Sequence, residues 1–502
     1  MIFNFTRKVY LDNNATTLIS SAVTKAMNKV LKTHFGNPSS HHTLGYKAAN
    51  LIAQARSIIA SSIQANHKNI FFTSSASEAN NQVIHSIVSD FEARQQTLKI
   101  ITSPIEHMSI IATLKALEKR GVIVEYLTID HHGHIDIEAA KQQIDAETGL
   151  VCCMLANNEI GSIQNIQALA KIAEQQGAFI LSDCVQALGK IDINVNQLNI
   201  DYATFSAHKV HGPKGIGAIY VKDGAPLTRL IQGGDQESGF RAGTESVHNI
   251  VGFGQACKAI PYLLKQSSIT LSLKEKLKQE VIKFNKNVTF NAEQSETLSN
   301  TLSMRIPSVD KHSLMAFLDY YDTSISSDSA CCSTNHSASH VLKAIGLTDK
   351  QANETVRISL SAQTKMKDIQ YLVKKLSHFF AAYNHNITLL GPNSIDYNFL
   401  NDDNNYILDI RGKYERLLMK SIPNSHEHHF LNYQEVVNTL NKEANLILIC
   451  TSGMKSMLFA YQLSHSGFQN IKVLTGGLMA WKKAHAKLYH DLAGTNVIKI
   501  DE

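Results

Sequence analysis

The chain has 502 residues, with 48 Lys and Arg against 43 Asp and Glu, a net charge of +5 and 44% hydrophobic residues. At about 150 residues per domain that length predicts two or three domains, and the near balance of charges, with no basic stripe, argues against nucleic-acid binding. The N-terminal stretch MIFNFTRKVYLDNNATT lacks the apolar run of a signal peptide. No apolar stretch reaches the roughly 18 residues of a membrane span, so a cytoplasmic protein with no membrane partner is expected. The 7 cysteines follow neither a zinc pattern nor a disulfide framework, which fits free thiols in a reducing compartment.

In chain order, residues 42–63 have helical periodicity. NIFFT reads as a strand, SEANNQVIHSIVSDF as a helix, KIITS as a strand, and HMSIIATLKALEKRG as a helix stopped by Gly121. The strand VIVEYLTI follows, then the buried strand GLVCCMLA, where Cys152 and Cys153 act as small hydrophobes. A helix at 166–176 and the strands AFILSD, DYATFS and IGAIYVK complete the series. Strands alternating with helices predict an α/β fold, with a mostly parallel sheet covered on both faces. Such sheets bind ligands beyond the carboxyl ends of their strands. Five strands here lead into polar groups: Ser74 to Ser77; Glu106 and His107; Asn157 to Glu159; Asp183 and Gln186; Ser206, His208 and Lys209.

Each group has a structural reading and a chemical one. TSSASEANN precedes a helix, so it supplies either a phosphate cradle or a serine cap with Glu78 in the first turn. Lys209 is either a surface lysine or an amine able to form a Schiff base; Lys214 is its rival but lies farther from the strand end. Asp183 either caps the next element or pairs with a pyridinium nitrogen. His107 either stabilises a helix start or stacks on a cofactor and moves protons. Taken together, these groups on one rim point to pyridoxal 5′-phosphate.

The motifs YLDNNATT, FGNPSSHH, TSSASEANN, IEH, NNEIGSIQ, SDCVQALGK, SAHKVHGPKGIGA, GGDQESGFRAGTESV, SSDSACCS and VRISL occur in the order seen in cysteine desulfurases. The chain resembles the class serving iron–sulfur cluster assembly, over residues 8 to about 383. The resemblance implies the pyridoxal-phosphate fold type I, with a large domain at about 14–255 and a small domain from 1–13 plus 256–384. It implies that Lys209 binds the cofactor, His107 stacks on its ring, Asp183 meets the ring nitrogen, and Asn158 and Gln186 meet the ring oxygen region. Ala76, Ser77, Ser206 and His208 would bind the phosphate together with Thr244 from the partner subunit of a homodimer. Arg357, with Asn13 nearby, would grip the carboxylate of L-cysteine. Cys331, in the polar stretch ISSDSACCSTNH, stands at the family's nucleophile: its thiolate would take the substrate sulfur as a persulfide and release alanine. Cys332 inherits no role. Asp328, Ser75 and Ser361 replace usual glycines, and Ser77 a usual threonine; these departures bear on rate more than on reaction type.

After about residue 384 the composition turns rich in Asn and Asp, and 385–402 reads as a linker. YILDIR, LILICTSGMKS and NIKVLTGGLMAW then mark a small α/β unit at 403–490, followed by a tail at 491–502. Cys450 lies at a strand end before a helix, where backbone N–H groups can form an anion nest. Over about 395–485 this unit resembles a single rhodanese domain, carried by Asp409, Arg411, the loop from Cys450 to Lys455, and LTGGLMAW. Lys455 stands where arginine is commoner, and KSIPNS matches only loosely. The resemblance implies a persulfide on Cys450, and the fusion alone raises the expectation of relay from Cys331 to Cys450. The histidines of HEHHF read as a solvated cluster, with no metal site expected. The final sulfur acceptor stays open between an iron–sulfur scaffold, tRNA thiolation and thio-cofactor synthesis. A selenocysteine lyase, another pyridoxal-phosphate lyase and a non-catalytic sulfur carrier remain as alternatives.

Overall fold

The computed structural model describes residues 8–293, 295–327, 338–383 and 387–485. Seven strands form the first sheet: β1 (Ile70–Thr73), β2 (Lys99–Thr102), β3 (Ile123–Tyr126), β4 (Thr148–Cys152), β5 (Phe179–Asp183), β6 (Tyr202–Ser206) and β7 (Gly217–Val221). Their spatial order is β1-β7-β6-β5-β4-β2-β3. Only β7 is reversed, running antiparallel to β1 and β6. The remaining neighbours pair in parallel, so β1, β2, β4, β5 and β6 all point one way. Every residue of β2, β4, β6 and β7 is buried, as a sheet covered on both faces requires.

Alternation along the strands builds two cores. Ile100, Leu150, Leu181 and Ile219 face the helices Ala76–Ala93 and Met108–Glu118 through Val83, Ile84, Ile87, Ile110 and Leu114. Ile101, Val151, Ile180 and Phe205 pack on the opposite side with Ile59, Leu169 and Phe253. Cys152, Cys153, Cys184 and Cys257 are all buried. Burial pushes the Cys184 and Cys257 thiols up to about 12.

A second, antiparallel sheet places Thr301–Arg305 between Thr355–Ser359 and Thr289–Phe290. The N-terminal strand Val9–Tyr10 pairs with Thr323–Ser324, and Asp12 bridges Ser359. The chain then crosses to the first sheet, where Thr17 N–H donates to His208 O at 2.9 Å.

The C-terminal sheet has five parallel strands in the order Ile387–Leu390, Ile471–Leu474, Asn445–Ile449, Asn405–Asp409, Ser425–Glu427. Its first strand lies in the stretch expected to be a linker. ITLL is short and followed by polar residues, so its composition resembles a loop, yet Ile387 through Leu390 pair in register with Ile471 through Leu474. Trp481 Nε1 also donates to Ile395 O at 2.8 Å, fixing this stretch to the domain. The helix Met454–His465 packs on Lys311–Tyr320 and Met366–Tyr383 of the preceding unit. There the Phe317 ring lies 4.9 Å from Tyr461 and 5.2 Å from Phe379.

Asp409 and Arg411 form a fully buried ion pair, with Nη2–Oδ2 at 2.7 Å and Nε–Oδ1 at 2.9 Å. Removing one partner strands a charge in low dielectric. Asp409→Ala is therefore expected to destabilise the C-terminal domain by about 3–5 kcal/mol. Urea unfolding followed by the fluorescence of Trp481, the chain's single tryptophan and fully buried in that domain, measures this.

Candidate active site

A cavity of about 190 Å³ opens beyond the carboxyl ends of the unidirectional strands. Each strand contributes as its sequence suggested: Ala76 and Ser77 after β1, His107 after β2, Asn158 after β4. Asp183 ends β5 with Gln186 just beyond, and Ser206, His208 and Lys209 follow from β6 into a short 3₁₀ turn. Arg357 reaches the same cavity from the second sheet. Lys214 is exposed, which leaves Lys209 as the lysine of the cavity.

The carboxylate is held by a buried network that composition did not reveal. Asp183 Oδ2 accepts from Asn80 Nδ2 at 3.0 Å, and Oδ1 accepts from Val185 N–H at 3.0 Å. Asn80 Oδ1 accepts from Thr204 Oγ at 2.7 Å, and Asn80 Nδ2 also donates to Ser109 Oγ at 2.9 Å. Ser109 lies 2.8 Å from His107 Nδ1, which accepts Ser109 N–H at 3.1 Å. His107 thus caps the helix Met108–Glu118 and also lines the cavity; both readings of this residue hold. An Nδ1 that accepts a backbone N–H leaves the proton of the neutral ring on Nε2. Burial lowers the His107 pKa from its ordinary value; Asp183 opposes this, and Lys209 and His340 add to it. Behind it, Glu106 is fully buried with Oε1 accepting Met154 N–H at 2.7 Å, and burial is the main cause that raises it to about 8.

Lys209 Nζ donates to the backbone carbonyls of Asn14 and Ala15 at 2.6 and 2.9 Å. Gln186 Nε2 donates to the same Asn14 carbonyl at 3.0 Å. Burial, then the charges of Lys209, Lys214 and Lys190, push His208 down to about 4. Arg357 is 2% exposed. Its Nη2 pairs with Asp12 at 2.8 Å, its Nη1 donates to Asn158 O at 3.1 Å, and its Nε is buried with no partner among the described residues.

Two expected residues lie outside the cavity. The Asn13 carboxamide turns away to donate to Ser359 O at 2.9 Å, and Asn14 takes the place on the wall. Thr244 lines a separate hollow beside Ser74 and Arg241. Ser75, at φ −168°, is extended, and its Oγ caps the helix by accepting Glu78 N–H at 3.2 Å. The cap and phosphate readings of this loop are compatible, because the first-turn N–H groups of a helix have no intrahelical acceptor.

Asp328, Cys331 and Cys332 lie outside the described residues. The described residues flanking them are anchored at the cavity. Ser326 exchanges backbone hydrogen bonds with Arg357 at 3.1 and 2.6 Å. On the far side Ser339 Oγ donates to Glu159 at 2.5 Å, and His340 Nε2 lies 2.9 Å from Glu106 O.

These groups suit pyridoxal phosphate. The helix start at Ala76 and Ser77 favours its phosphate, the Lys209 amine its aldehyde, and Asp183 a protonated ring nitrogen. The Arg357 guanidinium at the cavity suits an anionic group of a ligand.

In the C-terminal domain Cys450 is 1% exposed, and its Sγ accepts Ser456 N–H at 3.4 Å. The loop is pressed against Gly477, where a Cβ would come within 2.4 Å of Gly453 N and 2.5 Å of Cys450 O, so LTGG serves as its floor. Glu415, which the sequence reading passed over, lies beside the loop: it bonds Lys455 Nζ at 2.8 Å and Thr451 Oγ at 2.9 Å. Burial alone would raise the Glu415 pKa, but the bonds from Lys455, Gly412 N–H and Thr451 bring it down to about 2.

Comparison with known proteins agrees with this geometry. The aminotransferase class-V family matches residues 9–372, and the rhodanese-like domain family matches 397–484. The chain is 38% identical over 371 residues to the cysteine desulfurase IscS of Dictyoglomus turgidum, covering 74% of this chain and 94% of the relative. A solved NifS-like protein superposes with a TM-score of 0.70 at 34% identity, covering 75% of this chain and all (100%) of that one. SspA, solved in complex with cysteine, superposes with a TM-score of 0.63 at 33% identity, covering 71% and 100%. These relatives favour a cysteine desulfurase over the lyase and carrier alternatives. The chain belongs to the class-V aminotransferase family, among its pyridoxal-phosphate-dependent cysteine desulfurases, and carries a rhodanese-like domain in its C-terminal part.

Proposed function

We propose that the chain removes sulfur from L-cysteine at the cavity around Lys209, collects it on Cys331 and passes it to Cys450. The observation that carries this reading is the convergence of Lys209, Asp183 and His107 on one rim, with Arg357 arriving from the second sheet. Pyridoxal phosphate, when bound, supplies an electron sink for bonds broken at the substrate. Lys209 is the amine that holds it, and it moves protons at the substrate α-carbon. Arg357 orients the substrate carboxylate, and Asp12 keeps the guanidinium aimed by holding Nη2 at 2.8 Å. Asn80 and Val185 N–H keep the Asp183 carboxylate ready for a ring nitrogen. His107 presents an Nε2 proton at the ring.

The Cys331 thiolate attacks the substrate sulfur. The carbon–sulfur bond breaks, its electron pair goes to the carbon fragment, and that fragment takes up protons and leaves as alanine. The sulfur remains as a persulfide on Cys331, and attack by the Cys450 thiolate on its outer sulfur moves it onward. The anchoring of Ser326 on Arg357, and of Ser339 on Glu159, supports a Cys331 segment that begins and ends at the cavity. The destination of the sulfur is iron–sulfur assembly, the role implied by the resemblance in the motifs, with thio-cofactor or tRNA sulfur supply as the alternatives. The active form is a cytoplasmic homodimer, in which Thr244 reaches the partner's phosphate site.

Lys209→Ala is expected to lose the visible absorbance of the bound cofactor and at least about 10³-fold of alanine formation, the scale on which loss of a catalytic group acts. A protein still forming alanine at the wild-type rate removes Lys209 from the chemistry. Cys331→Ser is expected to keep the cofactor band but to abolish labelled persulfide on Cys450 when labelled cysteine is supplied. Label arriving at Cys450 as fast in the variant as in the wild type excludes the relay.

A further inference from the structure

Lys190 is a half-buried lysine beside the cavity, bonded to its wall, to which neither the sequence motifs nor the chemistry above gives a role. It ends the SDCVQALGK stretch that follows β5, and its side chain turns inward. Its Nζ donates to Asn14 Oδ1 at 3.2 Å and to Gln186 Oε1. Both acceptors are carboxamide oxygens, which carry no charge to balance an ammonium.

The two acceptors are joined to each other. Gln186 Nε2 donates to the Asn14 backbone carbonyl at 3.0 Å, so Lys190, Gln186 and Asn14 close a ring. The same Asn14 carbonyl receives the Lys209 amine at 2.6 Å. Asn14 is tied further on every side: Nδ2 donates to Asn158 O at 3.1 Å and Thr301 Oγ at 2.8 Å, and Oδ1 accepts from Asn300 Nδ2 at 2.9 Å. One junction thus connects Lys209 on the first sheet to the second sheet, and among the described residues Lys190 is the one lysine besides Lys209 that donates to it. Without that donor the Gln186 carboxamide keeps only the Nε2 bond to the Asn14 carbonyl of the two contacts that select its orientation, and its hold on the cavity wall is loosened. Burial, then the charges of Lys209 and Arg357, push Lys190 well below the ordinary lysine value.

We propose that Lys190 is a positioning residue for cofactor binding: by closing the ring with Gln186 and Asn14, it fixes the carboxamide on the cavity wall and the carbonyl that holds the Lys209 amine. This rests on the reading that the cavity binds pyridoxal phosphate.

The test measures the dissociation constant of pyridoxal phosphate by absorbance titration of cofactor-depleted full-length protein. It compares wild type with Lys190→Met, Lys190→Gln and Lys190→Arg, with circular dichroism and melting of each cofactor-free protein alongside. Loss of a charge-assisted hydrogen bond is expected to weaken cofactor binding by about ten-fold or more in Lys190→Met and to alter the band of the bound cofactor. Lys190→Arg, which keeps charge and donors, is expected to recover most of that loss. Folded Lys190→Met and Lys190→Gln proteins that bind the cofactor as wild type does overturn the proposal. If Lys190→Met does not fold, Lys190→Gln decides; failure of both to fold assigns Lys190 to folding alone and also overturns it. A wild type that takes up no cofactor defeats the underlying reading instead, so the two failures are distinguishable.

Discussion

The site is organised around a carboxylate that the fold buries and surrounds with neutral donors. Asp183 is 5% exposed and is held by an asparagine side chain and a backbone N–H. Neutral donors satisfy its hydrogen bonds and leave its charge available to a cationic ring nitrogen. The arrangement depends on β5 ending where it does, on Asn80 projecting from the helix Ala76–Ala93, and on Thr204 of β6 fixing the asparagine from the other side. The same helix begins at the groups suited to a phosphate. One helix therefore contributes to both sites, and the single turn between Ala76 and Asn80 sets the spacing between them.

A second constraint comes from the N-terminal segment. Between Val9 and Thr17 the chain pairs with the second sheet, supplies Asp12 to Arg357, offers the Asn14 and Ala15 carbonyls to Lys209, and donates from Thr17 to His208 O. It stitches together two units that otherwise meet across the cavity. An arginine from one sheet can face a lysine from the other because nine residues of backbone hold both.

Much of this was legible in the sequence because strand ends are punctuated: each apolar run stops at a polar group, and in a parallel sheet those groups share one rim. That logic reaches His107, Asp183 and Lys209 without any partner being known. It fails where a side chain matters through convergence. Asn80 and Lys190 sit inside a helix and a turn whose patterns are ordinary, and nothing local tells that their ends meet Asp183 or Gln186. Asn13 and Asn14 are adjacent and identical in chemistry, so only the backbone path decides which one faces the cavity. ITLL was hidden by its polar neighbours, since a four-residue strand carries too little periodicity to outweigh them.

The seam between the desulfurase part and the rhodanese-like domain also has a bearing on how they behave together. Phe317, Phe379 and Tyr461 belong to one apolar cluster that also takes in Met457, Phe459 and Leu463 from the helix after the Cys450 loop. Their association is thus first-order in the chain itself, insensitive to dilution. A competitor could displace the C-terminal domain only by opening an aromatic interior to water. Separating the halves by a cut between them would leave each with a sticky face, so they are joined by packing as well as by the chain.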